Sequence, residues 1–499
     1  MVSSQVIKAL KEALPSGQFI QRGTHSYDKL NSWYLSELES DLQPAYIFQP
    51  RTKEEVVTFV QTIKPFIGDE KFAIRGAGCQ PLPGCANIQD GITLKLSHLT
   101  GISIEDGIVR IGAGERWGTV YERLDVEGLG VCGSRSANGG IGGLALEGGL
   151  SFFSSREGFI CDNVLNYEVV LASGDIVNAN AHENSDLWIA LRGGGNNFGI
   201  VTRFDFRTFK EGNIWGGTVF YFAPSFPSQI EALVGDSLHD PNASTDTHLM
   251  LSIGYSAMFS EDIMCLNQPY YTKAVENPAV LDPFTKIQPQ VDSLNTMRLH
   301  SLREASQEQA ASAQKGVRCA YMNITVKADA NTLQAGSAIY TAGLAPIKTV
   351  ENGLFSFTLQ PYPISLLEKS ASAGGNFLGL KSADGPLVSV LLMSYWKNKA
   401  DDEAVLGFMK TALEKIKQEA ALRDKLVFYL YMNYAFSHQD PISSYGAVNK
   451  AKLQEISSKY DPEGMFQRGC PGGFKLFPCM GVQDEQDMMA KIVLTVDKH

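Results

Sequence analysis

GGIGGLALEGGLSFFSSREGFICDNVLNYEVVLASGDIV (139–177) and SDLWIALRGGGNNFGIVTRF (185–204) set glycine turns between short β-like runs. In the first, NYEVVLASGDIVNAN reads as a hairpin turning at Ser173-Gly174. In the second, Ser185-Asp186 caps a short helix and GIVTRFDFRTF returns as a strand. Glycine density is the anomaly around them. The chain carries 47 glycines in 499 residues, about 9% against a usual ~7%, and 14 of them fall between Gly101 and Gly149. A phosphate cradle needs backbone N–H groups that converge on an anion, and glycine permits both the dihedrals and the close approach.

Four glycine clusters follow one another: RGAG (75–78), GGIGG (139–143) with Gly148-Gly149, RGGGNNFGIV (192–201), and 469–473. Taken singly, each glycine is a turn-former. Taken together, loops from separate parts of the chain suit one long, phosphate-bearing ligand. GxxxxGK[ST], GxSxG and HExxH are absent, which removes the simplest nucleotide-loop, hydrolase and zinc-protease readings. GIGGLA (140–145) matches a loose GxGxxA but does not directly follow a strand, so a Rossmann site is a weak reading.

Outward from the core stretch, segment 46–206 alternates strands and helices. YIFQP (46–50) precedes Thr52-Lys-Glu-Glu55, a capping box, and a helix bearing Val56, Val57, Phe59, Val60 and Ile63. KFAIRG (71–76), GITLKLS (91–97) and GIVRIGAG (107–114) each enter or leave a glycine turn, and 115–127 reads as a helix. After about 210 alternating runs dominate: GGTVFYF (216–222), THLMLSIGYS (247–256), YMNITVKA (321–328), GLFSFTLQ (353–360) and PLVSVLLMSYW (386–396). A helix over 402–421 carries Val405, Leu406, Phe408, Met409, Leu413 and Ile416. The expectation is α+β, with an antiparallel sheet covered by helices on one side. Of its aromatic residues, Phe355, Phe357, Tyr395 and Trp396 among them, some must form a core and a few line a pocket. From 427 to 477 the texture returns to glycine, tyrosine and turn residues.

Hydrophobic residues at 44%, charged residues at 19% and a net charge of −11 describe an ordinary globular protein of two to four units, without a footprint for nucleic acid or an anionic membrane. No run of ~18 apolar residues predicts a membrane span, and MVSSQVIKALKEALPSG lacks the apolar core of a secretory signal. Eight cysteines without CxxC, and histidines without ligand spacing, give no expectation of a metal; a cytoplasmic location is expected.

In this order the motifs resemble a family: fungal FAD-linked oxidoreductases of the berberine-bridge-enzyme-like branch of the vanillyl-alcohol oxidase superfamily, with a PCMH-type FAD-binding domain. The likeness runs from about Pro44 to Lys475 and rests on KFAIRGAG, GITLKLSHL, GAGERWGTVYERLD, the two opening stretches, YMNYAF and KYDPEGMFQ. It implies an N-terminal helical segment (1–42), a two-subdomain FAD-binding domain (43–212), a substrate domain (213–425), a C-terminal segment completing the FAD site (426–480) and a tail (481–499). It also implies FAD contacts at Arg75, Gly76, Ala77, Gly78, Cys79, Gln80, Ser136, Gly139, Gly140, Gly142, Gly143, Leu144, Gly148, Gly149, Gly199, Ile200, Val201 and Asn433. Tyr434 is the first candidate for a base or orienting residue and Tyr431 the second. Alternation in VFYLYMNY makes one of the two a buried strand residue.

Four departures stand out. Cys79 holds the place of a flavin-tethering histidine, and Ser136 that of a tethering cysteine. Ala77 and Glu147 each replace a glycine. Noncovalent FAD is therefore expected, with a Cys79 thioether or a weakened flavin site as alternatives. The activity implied is oxidation of a small, largely apolar natural-product intermediate, by hydride transfer to flavin N5 with O2 as acceptor. The runner-up is a redox-neutral isomerase or cyclase (Diels–Alderase-like), with Glu147, Cys79 and Tyr434 as acid–base candidates. A non-catalytic binding protein on the same scaffold is the third reading.

Overall fold

The computed structural model describes residues 2–258, 262–311, 314 and 316–477. The 481–499 tail and Cys479 lie outside the described residues.

Thr52 caps the helix Lys53–Ile63: its hydroxyl accepts from the Glu55 N–H, while the Glu55 carboxylate accepts from the N–H of Arg51, one residue before the cap. Val56, Phe59, Val60 and Ile63 recur at helical spacing and are buried. Phe59 lies 5.6 Å from Phe48 and 5.7 Å from Phe72, which fixes the helix on a four-stranded sheet. In that sheet Tyr46–Phe48 and Phe72–Arg75 both pair parallel to Ile92–Lys95, and Phe19–Gln21 adds an antiparallel edge. The first 42 residues thus contribute a strand as well as helices.

A second, antiparallel sheet runs in the order Ile102–Glu105, Ile108–Gly112, Ile200–Lys210, Val164–Val170, Ile176–Asn180, with Leu129–Val131 pairing the far end of Ile200–Lys210. The expected hairpin turns at Gly174, whose φ of 89° belongs to the left-handed region.

The third sheet has seven strands, all antiparallel: Val219–Phe222, Met264–Asn267, Leu251–Ser256, Leu354–Tyr362, Leu387–Trp396, Arg318–Lys327 and Leu426–Val427. Period-two alternation sorts its two faces. Phe355, Phe357, Leu359, Val390 and Leu392 form one apolar cluster with residues of helices Phe226–Ala232, Ala330–Ala342 and Asp402–Leu422. The other face carries Ser356, Thr358, Gln360, Tyr321 and Tyr395. This is the α+β architecture expected, with helices on one side. Of the four aromatic residues singled out, Phe355, Phe357 and Trp396 are core and Tyr395 faces the polar side.

Two local expectations fail. THLMLSIGYS is not one strand: Thr247–His248 and Leu251–Ser256 belong to different sheets, the former to a small sheet with Tyr270–Tyr271, Ile214–Gly216 and Arg298–His300. VFYLYMNY leaves the sheet after Val427 and ends in a short helical turn, Met432–Tyr434. Among the described residues no helix is long and apolar enough to cross a membrane.

Candidate active site

The loop after strand Phe72–Arg75 meets the loop around residue 140. An added Cβ on Gly140 would stand 2.5 Å from the Ala77 Cβ, so these two chain segments pack backbone to methyl. Arg116, directly before helix Trp117–Asp125, straps them together: it donates to the carbonyls of Asn138 and, at 3.4 Å, Ala77. Its guanidinium lies 3.7 Å from Cys79 Sγ, and that thiol points to the Asn138 carbonyl at 3.3 Å. Ser136 is held through its N–H by Ser134 Oγ at 3.0 Å.

Arg75 is turned away from this junction. Its buried guanidinium donates to the carbonyls of Leu30 and Trp33 at 2.8 and 2.5 Å and stacks 3.5 Å over the Tyr34 ring. Its side chain therefore braces the loop from behind. Gly78, with φ of 70°, abuts the same tyrosine. Ile200 and Val201 bury their side chains in the second sheet, and Gly199 is required by Val169, 2.6 Å from where its Cβ would be. Leu144 is partly buried against the core, and Gly142 opens the short helix Gly142–Leu146.

The residues 147–149 form the floor of the site. Gly148 and Gly149 have φ of 114° and 81°, and Gly149 is walled in by Ile160 and the Leu144 carbonyl. The turn Met432–Tyr434 docks here. The Gly149 N–H donates to Asn433 Oδ1 at 3.2 Å, and Asn433 Nδ2 reaches Glu147 Oε2 at 3.4 Å. Gln80 Nε2 donates to the Met432 carbonyl at 3.4 Å and also hydrogen-bonds Glu147. Burial pushes the Glu147 carboxyl up to about 8 against the opposing pull of Gln80, so it is largely protonated at neutral pH.

Tyr431 and Tyr434 sit edge to face, ring centroids 4.7 Å apart. They differ in surroundings. Tyr431 is buried, its main chain clamped by Asn323 through bonds of 2.9 and 3.0 Å, and burial drives its hydroxyl well above the ordinary range. Tyr434 is half-buried, and its hydroxyl accepts from Arg135 Nη2 at 2.7 Å and exchanges hydrogen bonds with the Gln360 amide at 3.1–3.2 Å. Arg135 Nη1 also donates to Gln360 Oε1 at 3.0 Å, and lies 2.8 Å from Met250 Sδ and 3.5 Å from His248 Nε2. His248 is held neutral, pushed well below its ordinary value by burial first and by Arg135 second. Tyr321 and Tyr395 share a 2.6 Å hydroxyl contact, and Tyr321 meets the Tyr434 ring at 5.8 Å. His438 is exposed.

The structure thus brings together Glu147, Gly148, Gly149, Gln80, Tyr431, Asn433 and Tyr434, while Ala77, Cys79, Gly139 and Gly140 gather at the neighbouring loop junction. Sequence reading missed Arg116, Arg135, Gln360 and His248. An arginine inside a glycine–serine loop was the available signal for Arg135; Gln360 and His248 sit in strands with nothing local to mark them.

The two loops fit an extended dinucleotide. An added Cβ at Gly76 or Gly143 would meet nothing within 4 Å, so bare backbone faces open space there, whereas Gly140 and Gly149 are closed by packing. The family described as FAD binding domain matches residues 44–180. The FAD-dependent monooxygenase FUP4 of Fusarium proliferatum (strain ET1) is 35% identical over 463 residues, covering 89% of this chain and 87% of its own. The FAD-dependent monooxygenase CTB5 of Cercospora nicotianae is 33% identical over 461 residues, covering 89% and 99%. Among solved structures, glucooligosaccharide oxidase from Acremonium strictum superposes with a TM-score of 0.76 at 19% identity, over 94% of this chain and 99% of that one. A berberine bridge enzyme variant bound to (S)-reticuline gives 0.74 at 15%, over 94% and 99%. The chain belongs to the FAD-dependent oxidoreductase family of these fungal proteins, built on the berberine-bridge-enzyme-like fold.

Proposed function

We propose that this flavoprotein is an oxidase or dehydrogenase acting on a small, largely apolar natural-product intermediate of secondary metabolism, with O2 as electron acceptor and Tyr434 as the base. The observation that carries this reading is the Tyr434 hydroxyl, held by Arg135 and Gln360 where the 147–149 loop meets the polar face of the seven-stranded sheet. FAD, when bound against the glycine loops, supplies the two-electron acceptor. The protein supplies the rest. As the base, Tyr434 takes a proton from the substrate, and the guanidinium 2.7 Å from its oxygen fixes that oxygen in position. Asn433 and Gln80 fix the turn that carries the base. The rings of Tyr321 and Tyr431 stand edge-on to Tyr434.

The tethers are proposed to be absent. Ser136 has no sulfur, and Cys79 is directed at the Asn138 carbonyl. A cytosolic location is likewise proposed, supported by seven described cysteines that all stand as free thiols. Purified protein should be yellow, and acid precipitation should leave the colour in the supernatant. Colour retained in the pellet overturns noncovalent binding. A colourless protein that FAD cannot reconstitute overturns the oxidoreductase reading.

One observation favours a second reading. Glu147, protonated at neutral pH beside the flavin loops, is a ready general acid for a redox-neutral isomerisation or cyclisation. Under anaerobic conditions the two separate: oxidation bleaches the flavin and stops after one turnover, whereas isomerisation continues with the flavin colour unchanged.

A further inference from the structure

A recess of about 570 Å3 lies between the helices Trp117–Asp125 and Leu302–Ala311. None of the residues that the family resemblance assigns to FAD lines it. Helical spacing builds its walls: Arg303 and Gln307 stand four positions apart on one helix, and Thr119 and Glu122 three apart on the other. The Ala137 N–H donates to the Ser306 carbonyl and the Gly118 N–H to the Ala137 carbonyl, each at 2.9 Å, so the loop that completes the lining is fixed to both helices. The size suits a small molecule, but the lining is the reverse of an ordinary apolar pocket. Apart from those four side chains, Arg116 and Asn138, it is glycine and alanine, with no aromatic ring to stack a base or grip an apolar ring. Its charges do not cancel. Arg116 contacts the carbonyls of Asn138 and Ala77 and the Cys79 sulfur, and no carboxylate. Arg303 pairs with Glu122 at 2.9 Å, but the two side chains are 41% and 57% exposed, so the pair contributes little and opens readily. The nearby Asp125 carboxyl is engaged by the Ser301 hydroxyl and the Arg303 N–H. Behind Arg116 the field is positive too: burial first, then Arg75 and Arg116, push the Lys95 ammonium down to about 8.

We propose that this recess is a second ligand site, which takes a phosphorylated polyol such as a sugar phosphate between Arg116 and Arg303. A phosphate oxygen pair matches the planar guanidinium fork and displaces the exposed Glu122 carboxylate from Arg303. Thr119, Asn138 and Gln307 supply the donors and acceptors that hydroxyl groups need. A nucleotide finds no stacking partner here, and an apolar molecule finds no apolar wall.

The test needs no turnover. The holoenzyme, with FAD in excess so that the flavin site stays filled, is titrated calorimetrically at pH 7 in phosphate-free buffer. The probes are glucose 6-phosphate, glucose, inorganic phosphate, citrate and uridine 5′-monophosphate. Glucose 6-phosphate is expected to bind about tenfold or more tightly than either glucose or inorganic phosphate. Arg303→Gln should weaken it by about tenfold with flavin content unchanged, whereas Glu122→Gln, which frees Arg303, should tighten it. No binding of glucose 6-phosphate, or an affinity unchanged in both variants, overturns the site. Inorganic phosphate binding as tightly means an adventitious ion only and overturns the polyol. Citrate binding as tightly overturns the phosphate, and uridine 5′-monophosphate binding as tightly overturns the sugar assignment. Should a variant fail to fold, judged by circular dichroism and flavin content, the wild-type ranking of the five probes still decides.

Discussion

Two tyrosines three positions apart divide the work of the site, and their environments say how. Tyr431 is sealed against Gly148 and Asn323, in surroundings that penalise its anion. Tyr434 has a guanidinium on its oxygen. Tyr434→Phe is therefore expected to lower kcat by about a hundredfold or more with flavin content intact, while Tyr431→Phe lowers it less than about tenfold; steady-state and single-turnover kinetics on the two variants check this. Glu147 makes a prediction about pH. Its folded value, about 8, lies above its ordinary 4.5, so between those limits the native state holds a proton that the unfolded chain has released. Stability contributed at this position is intact below about pH 4.5 and is lost as pH rises toward 8. Glu147→Gln cannot ionise, so the variant apoprotein should match wild type at pH 4 and exceed it by about 2 kcal/mol at pH 8, a figure discounted for the partial exposure of the carboxyl. Apparent Tm measured across that range is the check, and an unchanged difference would refute it.

At the scale of elements, the junction of the two glycine loops is sensitive to a single methyl. Gly140→Ala places a Cβ 2.5 Å from that of Ala77, which neither backbone can absorb. We expect that variant to lose FAD affinity by about tenfold or more, and the double variant Gly140→Ala with Ala77→Gly to recover much of it. Fluorescence titration of the apoproteins with FAD measures the coupling, and additive losses would show that the methyls do not meet. The same junction marks the limit of what the sequence makes legible. Hairpins, the capped helix Lys53–Ile63 and the long strands announce themselves through periodicity and turn residues over seven or more positions. The small sheet of Thr247–His248 and Tyr270–Tyr271 does not, because strands of two residues have no period to read. VFYLYMNY misleads for a different reason. Its alternation is genuine, but Tyr431 and Asn433 are claimed by the 147–149 loop and by Asn323, and those contacts outweigh continuation of the sheet.

Across the whole molecule, the site is assembled from distant pieces: Arg135 meets Gln360 and Tyr434 across 225 and 299 positions. Glycine loops foretell a ligand because each carries its conformational constraint locally. A lone arginine and a lone glutamine carry none, and acquire meaning only once the sheets are docked. One such long-range tie is Arg318, at one end of the strand that also carries Tyr321 and Asn323. Its buried guanidinium grips Asp402 with two nitrogens, at the start of helix Asp402–Leu422, and reaches Asp41 at 2.7 Å. Next to it, Ser36 Oγ bonds both the N–H and the carbonyl of Cys319 at 2.9 Å. The segment 36–41 is thereby fastened to the seven-stranded sheet. Arg318→Met removes the cation shared by Asp41 and Asp402, leaving Asp41 with Lys399 alone at 3.1 Å, and should destabilise the fold by about 3 kcal/mol at pH 7. The sign of the acid response follows from Asp41, whose carboxyl is held below its ordinary value of 3.8 by Arg318 and Lys399 against the cost of its burial. Its contribution is present above that value and is lost as pH falls through the lower folded one. The gap between wild type and Arg318→Met should therefore be widest at neutral pH and shrink below about pH 4. Urea midpoints at both pH values test it, and a gap that stays constant or widens in acid would place the stabilising role of Arg318 elsewhere than in its charge.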